Sequence, residues 1–214
     1  MDVEAAETES NAALAGPTGP IEPAVAIAET EAWVDRIVIG LNLCPFAKAV
    51  QKRRIRYVHT PAADAEALLG VFCAEARLLT TSSPSAIETT LLVHPSALTD
   101  FDDYNDFLGV LDAALEELGW AGELQVASFH PDYRFAGTAT GDVTNATNRS
   151  PWPMLQLLRE ASVGAALAGF PDSARIYEAN IATMQALGPV GWAALQAAGR
   201  SDAAAALDRA QPAS

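Results

Sequence analysis

The stretch "VASFHPDYRFAGTATGDVTNATNRSPWP" (residues 126–153) decides how this chain folds. A run of β-forming residues ends on His130-Pro131. A long segment follows, rich in amides, hydroxyls and glycines, with the arginines Arg134 and Arg149. Packing asks for no such segment, and long loops inside compact domains are usually functional or disordered. Two sheets diverge at this point. If Ser150 and Pro151 cap and open a helix through Leu155 and Leu158, the chain crosses over and the sheet is mainly parallel. If "YRFAGT" (133–138) folds back through "HPDY", the sheet is mixed or ferredoxin-like.

Outward from that stretch, strands and helices alternate. "RIRYVH" (54–59) and "TTLLVH" (89–94) read as strands, and "LQVASFH" (124–130) as a third. Trp33, Val34, Ile37, Val38 and Leu41 recur at helical spacing over 30–41. Asp64 caps a helix striped by Leu68, Leu69, Phe72, Ala76 and Leu79. Phe101, Tyr104, Leu108, Leu111, Leu115 and Leu118 mark another, closed by Gly119. Asp172 starts a helix through Ile176, Tyr177, Ile181, Met184 and Leu187 that ends at Gly188-Pro189, and a last helix holds Trp192 and Leu195. The expected fold is α/β, with a small mainly parallel or mixed sheet of three to four strands, crossover helices and a helical C-terminal part. The alternative is a ferredoxin-like α+β sheet. Residues 1–29 read as a disordered acidic leader, 30–198 as a single domain and 199–214 as a flexible tail.

Charge narrows the function. The chain has 214 residues and a net charge of −14, half of it from Asp2, Glu4, Glu7, Glu9, Glu22, Glu29 and Glu31. Such a balance argues against nucleic acid, which needs clustered Lys and Arg. No window is apolar enough for a membrane span, and the acidic start is unlike a secretory signal. Two cysteines with no pairing pattern suit a reducing cytoplasm. Nucleotide loops, zinc-protease helices and nucleophile elbows are all missing from the sequence. "TDFDDYND" (99–106) lacks the glycine and terminal glutamate of an EF-hand, and its acids suit a helix start.

The chain has three histidines, and each ends an expected strand: His59, His94 and His130. Parallel strands would bring them to the carboxyl edge, where open α/β sheets bind ligands. There they can act as acid–base groups or, for His94 and His130, as ligands of a divalent metal such as zinc. Equally, each can bond backbone at a strand end. The loop adds Asp132, Tyr133, Arg134, Asn145, Asn148, Arg149 and Ser150. Arg149 offers a fork for carboxylate or phosphate, and Ser150 would stand at a helix N-terminus that attracts anions. The competing role for Arg149 and the asparagines is to tie down the loop through backbone bonds. Cys44, in "LNLCPFAK", is either a buried apolar residue or a thiolate, whereas Cys73 falls in a helical stripe. Arg159 and Glu160 either reach the same edge or form a helix-surface pair.

"VIGLNLCPFAKAV", "ETTLLVHP", "DYNDFL", "LQVASFHPDYRFAGT", "TNRSPWPMLQLLREASV" and "IYEANI" together resemble the bacterial family called domain of unknown function 1415. The likeness spans residues 31–188. It implies importance for Cys44, His94, His130, Asp132, Tyr133, Asn148, Arg149, Ser150, Arg159 and Glu160. It carries no histidine at position 59, and so implies a pair, His94 with His130, joined by Cys44. The expected function is a small-molecule enzyme acting on an anionic substrate, first as a metal-assisted hydrolase or lyase, second as a metal-free thiol–imidazole enzyme. The alternative is a non-catalytic metal- or metabolite-binding accessory protein.

Overall fold

The computed structural model describes residues 21–44, 46, 47, 50, 54–168 and 174–210. Helix α1 (Pro23–Trp33) runs into a π-helical turn (Val34–Ile39). Then come β1 (Ile55–His59), α2 (Ala65–Thr81), β2 (Thr89–Val93), α3 (Phe101–Glu117) and β3 (Leu124–Phe129). A 3-10 turn (Val143–Thr147) precedes β4 (Met154–Arg159), α4 (Glu160–Leu167) and α5 (Ala174–Ala210).

The sheet order is β1-β2-β4-β3. β1 pairs with β2 in parallel, and β4 pairs antiparallel with both β2 and β3. The fold is therefore α/β with a mixed sheet. The strand that turns back is not 133–138, which forms turns and irregular chain, but Met154–Arg159, where a helix was expected. The order is not the ferredoxin-like one. The cause is local. Ser150 and Trp152 each precede a proline, which disfavours helical backbone at both. "MLQLLR" lies between two strands and is buried nearly throughout, so its apolar run carries no alternation to mark it as a strand. Helix begins only at Glu160.

The sheet is covered on both faces. On one, α2 and α3 bring Leu68, Phe72, Leu79, Tyr104 and Leu111 onto Leu92, Leu155 and Leu157. On the other, α1, the π turn and α5 bring Trp33, Val34, Ile37, Met184 and Trp192 onto Leu91, Val93 and Met154. Strand alternation thus sends Leu92 one way and its neighbours the other. Asp64 accepts from the Ala67 N–H at 2.8 Å, and Asp100 accepts from the Asp102 N–H at 2.9 Å, which caps α2 and α3 as expected. Gly119 has φ 75° just past α3, and Gly188 with φ 66° breaks α5 ahead of Pro189. Asp172 lies outside the described residues.

Both ends of the folded body extend past their expected boundaries. Helix α1 starts at Pro23, inside the expected leader, and Ala26 and Thr30 are fully buried. Helix α5 runs through the expected tail to Ala210. The two pack through small residues, Ala28 and Ala32 against Ala203, with Arg36 Nε 2.7 Å from Asp202. Alanine carries little hydrophobic signal, so close helix contact of this kind leaves a faint periodicity. Just past the π turn, a Cβ on Gly40 would sit 2.2 Å from the Arg36 carbonyl, so only glycine fits. No described helix is long and apolar enough to cross a membrane.

Candidate functional site

Because β4 runs antiparallel between them, β2 and β3 point the same way, and His94 and His130 emerge at one edge on either side of the start of β4. The His94 N–H donates to the Pro153 carbonyl at 3.0 Å. The His130 N–H donates to the Asn148 carbonyl at 3.2 Å, and the Ser150 N–H donates to the His130 carbonyl at 3.4 Å. Both rings turn toward the α2/α3 face and pack on Tyr104, with centroids 5.8 Å away for His94 and 5.1 Å for His130. His59 pairs with Val93 and so shares the opposite face; the three histidines do not converge.

Tyr104 is the strut beneath them. Its hydroxyl donates to the Met154 carbonyl at 2.8 Å and accepts from the Phe129 N–H at 3.0 Å, fixing α3 to both strands. Tyr104→Phe should lower the unfolding free energy by about 1–3 kcal/mol, because two buried backbone groups lose their shared partner. Urea denaturation of the variant measures that loss.

Both imidazoles are buried, and both Nε2 atoms lack a hydrogen bond. The Nδ1 atoms differ. His94 Nδ1 lies 2.9 Å from the Ala97 carbonyl, which can only accept, so Nδ1 carries the proton and Nε2 a lone pair. His130 Nδ1 accepts from the Asp132 N–H at 3.1 Å, so in the neutral ring the proton is on Nε2. One Nε2 is an acceptor and the other a donor. Burial pushes the His94 pKa down to about 4, against the Ala97 carbonyl and helped by the nearby His130. Burial also lowers that of His130, opposed by Asp132, by the Leu98 and Thr99 carbonyls and by Asp100. Those two carbonyls lie close to the ring, yet neither makes a hydrogen bond of acceptable geometry with Nε2. Leu98 holds the left-handed region at φ 51°, a strained setting for a branched side chain.

A histidine that binds metal through Nε2 normally donates its other N–H. His94 is arranged that way; His130, whose Nδ1 accepts, is arranged the other way. Among the described residues no group of three or more His, Cys, Asp or Glu is placed to hold a metal ion. Cys44 packs beneath the opposite face near Phe46 and Leu158, and burial pushes its thiol pKa up. It does not join the histidines.

The long loop is held largely by its own side chains. Asn145, fully buried, accepts at Oδ1 from the Phe135 N–H and the Thr138 hydroxyl and donates to the Ala139 carbonyl. Asn148 donates to the Ser128 carbonyl at 3.2 Å, and Ser150 Oγ donates to the Trp152 carbonyl at 2.6 Å. Arg149 donates to the Tyr133 and Thr140 carbonyls, half-buried, with Asp132 and Asp142 supplying negative field. Arg134 pairs with Asp102 and lies over the Phe101 ring, on which Tyr133 packs edge-on. Arg159 and Glu160 lie at the far end of β4: Arg159 donates to the carbonyls of Leu79, Ser82 and Ile87, far from the histidines along the strand. With a strand following Ser150, no helix N-terminus is there to attract an anion.

Over the strand ends lies a cleft of about 660 Å³. Pro95, Thr99 and Pro131, next to the histidines in sequence, line it, but neither histidine does; Arg149 and Ser150 come from the loop, and Trp33, Trp192 and Arg200 from α1 and α5, on the face away from the two rings. Glu29 also lines it, its carboxyl pKa raised by burial and lowered in part by Trp152 and Arg200. Trp33 Nε1 donates to the Arg149 carbonyl at 2.9 Å, joining the two walls. Sequence reading missed Tyr104, Trp33, Trp192 and Arg200 as site residues. The first three register as core positions, and Arg200 falls in the expected tail.

No curated protein and no solved structure matches the chain. The profile that does match covers residues 25–194, and by it the chain belongs to the family described as Protein of unknown function (DUF1415).

Proposed function

We propose that this protein is a metal-independent acid–base enzyme acting on a small anionic molecule in the strand-end cleft. The observation that carries the reading is the histidine pair: two buried imidazoles, neither Nε2 hydrogen-bonded, one fixed as donor and one as acceptor. A buried polar atom without a partner costs about 1–3 kcal/mol, so two on rings that pack against the same tyrosine need a reason. A bound hydroxyl or carbonyl supplies one, because it can accept from His130 Nε2–H while a neighbouring proton moves toward His94 Nε2. A neutral imidazole can polarise a substrate oxygen in this way. The reaction class that fits is proton transfer beside a carbonyl, as in a lyase or isomerase.

Arg149 and Arg200 supply the cations of the cleft, beside the carboxyl groups of Glu22 and Glu29, while Trp33, Trp152 and Trp192 give it apolar walls. The cleft does not reach the buried nitrogens; a substrate in it would meet them only on opening of the 95–100 loop, whose Pro95 and Thr99 line the cleft and whose Leu98 stores strain. A metal-assisted form has less support, given the His130 tautomer, and a thiol–imidazole form has none from the position of Cys44. The free thiols suit a reducing cytoplasm, and the acidic balance suits a partner other than nucleic acid.

The test is a panel of small carboxylates and phosphates screened by ligand-observed NMR, with turnover followed for each hit. Arg200→Gln should weaken binding at least tenfold, and His130→Asn should cut turnover at least ~100-fold with binding kept. Hits indifferent to the cleft arginine, or an empty panel, would sink the reading. Hits that bind at the cleft without turnover would make this a binding protein instead.

A further inference from the structure

The face of the sheet away from the histidine pair holds a second cavity, of about 210 Å³, between the π turn, the chain at Cys44 and the strands. Its wall is mostly apolar, with Trp33, Val38, Leu91 and Phe129. The polar groups on it are uncharged: Gln156, Asn180, Asn148, Thr89 and Thr147. No charged side chain lines it among the described residues. Of the described lining residues, it shares Trp33 alone with the cleft.

Gln156 is the informative residue. It occupies a central strand, β4, flanked by Leu155 and Leu157, both fully buried, where an apolar side chain would complete the core. Its Nε2 donates to Thr89 Oγ1 at 3.0 Å, and that hydroxyl donates in turn to the Leu157 carbonyl at 2.7 Å. The relay fixes which way the amide faces, because Thr89 has spent its proton. Asn180 likewise spends its amide N–H on the Leu43 carbonyl at 2.9 Å. In both, one of the two amide N–H groups is anchored to protein, which sets the orientation of the amide, and the carbonyl oxygen accepts no hydrogen bond among the described residues. A cavity with apolar walls and two oriented amide oxygens without a partner can take an N–H donor on an otherwise apolar body.

We propose that this cavity is a second ligand site, for a small uncharged fused-ring molecule bearing an N–H donor. Size supports the class: an apolar cavity of about 150 Å³ holds a single benzene ring, so this one admits a bicycle. The assignment does not depend on the chemistry of the cleft.

The test uses the full chain with indole as probe and benzofuran, its isostere without the N–H, as comparator. Calorimetry should show saturable indole binding, with benzofuran at least tenfold weaker. Gln156→Leu should abolish that preference. Val38→Phe, which fills the cavity, should abolish indole binding, while Arg200→Gln in the cleft should leave it unchanged. Equal affinity of the wild-type protein for the two probes would overturn the proposal, as would no indole binding. Indole that still binds the folded Val38→Phe variant would place it in the tryptophan-lined cleft and overturn it too. If Gln156→Leu does not fold, the wild-type comparison of the two probes decides.

Discussion

Arg159→Met should lower the free energy of unfolding by about 3 kcal/mol or more, the scale of losing several charge-assisted hydrogen bonds in a buried setting. Arg159 is 8% exposed, and its guanidinium ties β4 to the end of α2 by donating to the Leu79, Ser82 and Ile87 carbonyls. Methionine keeps the stem and removes every donor, which leaves these carbonyls short of a partner where water reaches them poorly. Arg159→Lys should recover only part of the loss, because an ammonium cannot reproduce the planar fork. Urea denaturation of the three proteins at pH 7 measures this. A methionine variant within about 1 kcal/mol of the parent would mean that the carbonyls find other partners, and would reopen a ligand-binding role for Arg159.

Acidification should destabilise the protein through His94 by about 3 kcal/mol, given a pKa pushed from the ordinary 6.5 down to about 4. The folded state keeps this ring neutral, whereas the unfolded chain takes up a proton below its ordinary pKa. The contribution is therefore complete above pH 6.5, shrinks as the pH falls, and is gone near pH 4, where the folded ring is protonated as well. His130 works in the same direction. Carboxylates titrate over part of this range, so the useful quantity is a difference between proteins. His94→Asn keeps a donor for the Ala97 carbonyl and removes the titration. Between pH 7 and pH 4 the parent should lose about 3 kcal/mol more stability than the variant, measured by denaturant unfolding at each pH. Parallel losses would mean that the ring is reached by solvent.

Much of the frame is legible in the sequence because its signals are local. Three strands that run up to a histidine, caps at Asp64 and Asp100, and glycines at 119 and 188 each follow from short-range chemistry. β4 is not legible, because a strand buried between two others shows a continuous apolar run that a helix could equally show. Helix α1 hides for another reason: its buried residues are mostly alanines, whose contacts matter only once α5 is beside them. The site divides along the same line. That His94 and His130 share an edge follows from strand direction, whereas the face each ring takes follows from register, which separates His59 from them; Cys44, ahead of β1, packs on the opposite face. The polar loop reads as a ligand site, yet Asn145 spends its amide within the loop, Asn148 donates to the Ser128 carbonyl of β3, and Arg149 donates to two loop carbonyls. Composition cannot tell a loop that binds a ligand from one that binds itself. The cleft also draws on Arg200, remote from the loop in sequence.

The central claim is that His94 and His130 form a neutral pair with one donor and one acceptor at Nε2. Long-range proton–nitrogen NMR of the imidazole rings at pH 7.5 reads this directly. The predicted result is a proton on Nδ1 of His94 with Nε2 bare, and a proton on Nε2 of His130 with Nδ1 bare. The same tautomer in both rings, or a charged ring at that pH, would contradict the claim and the acid–base reading built on it.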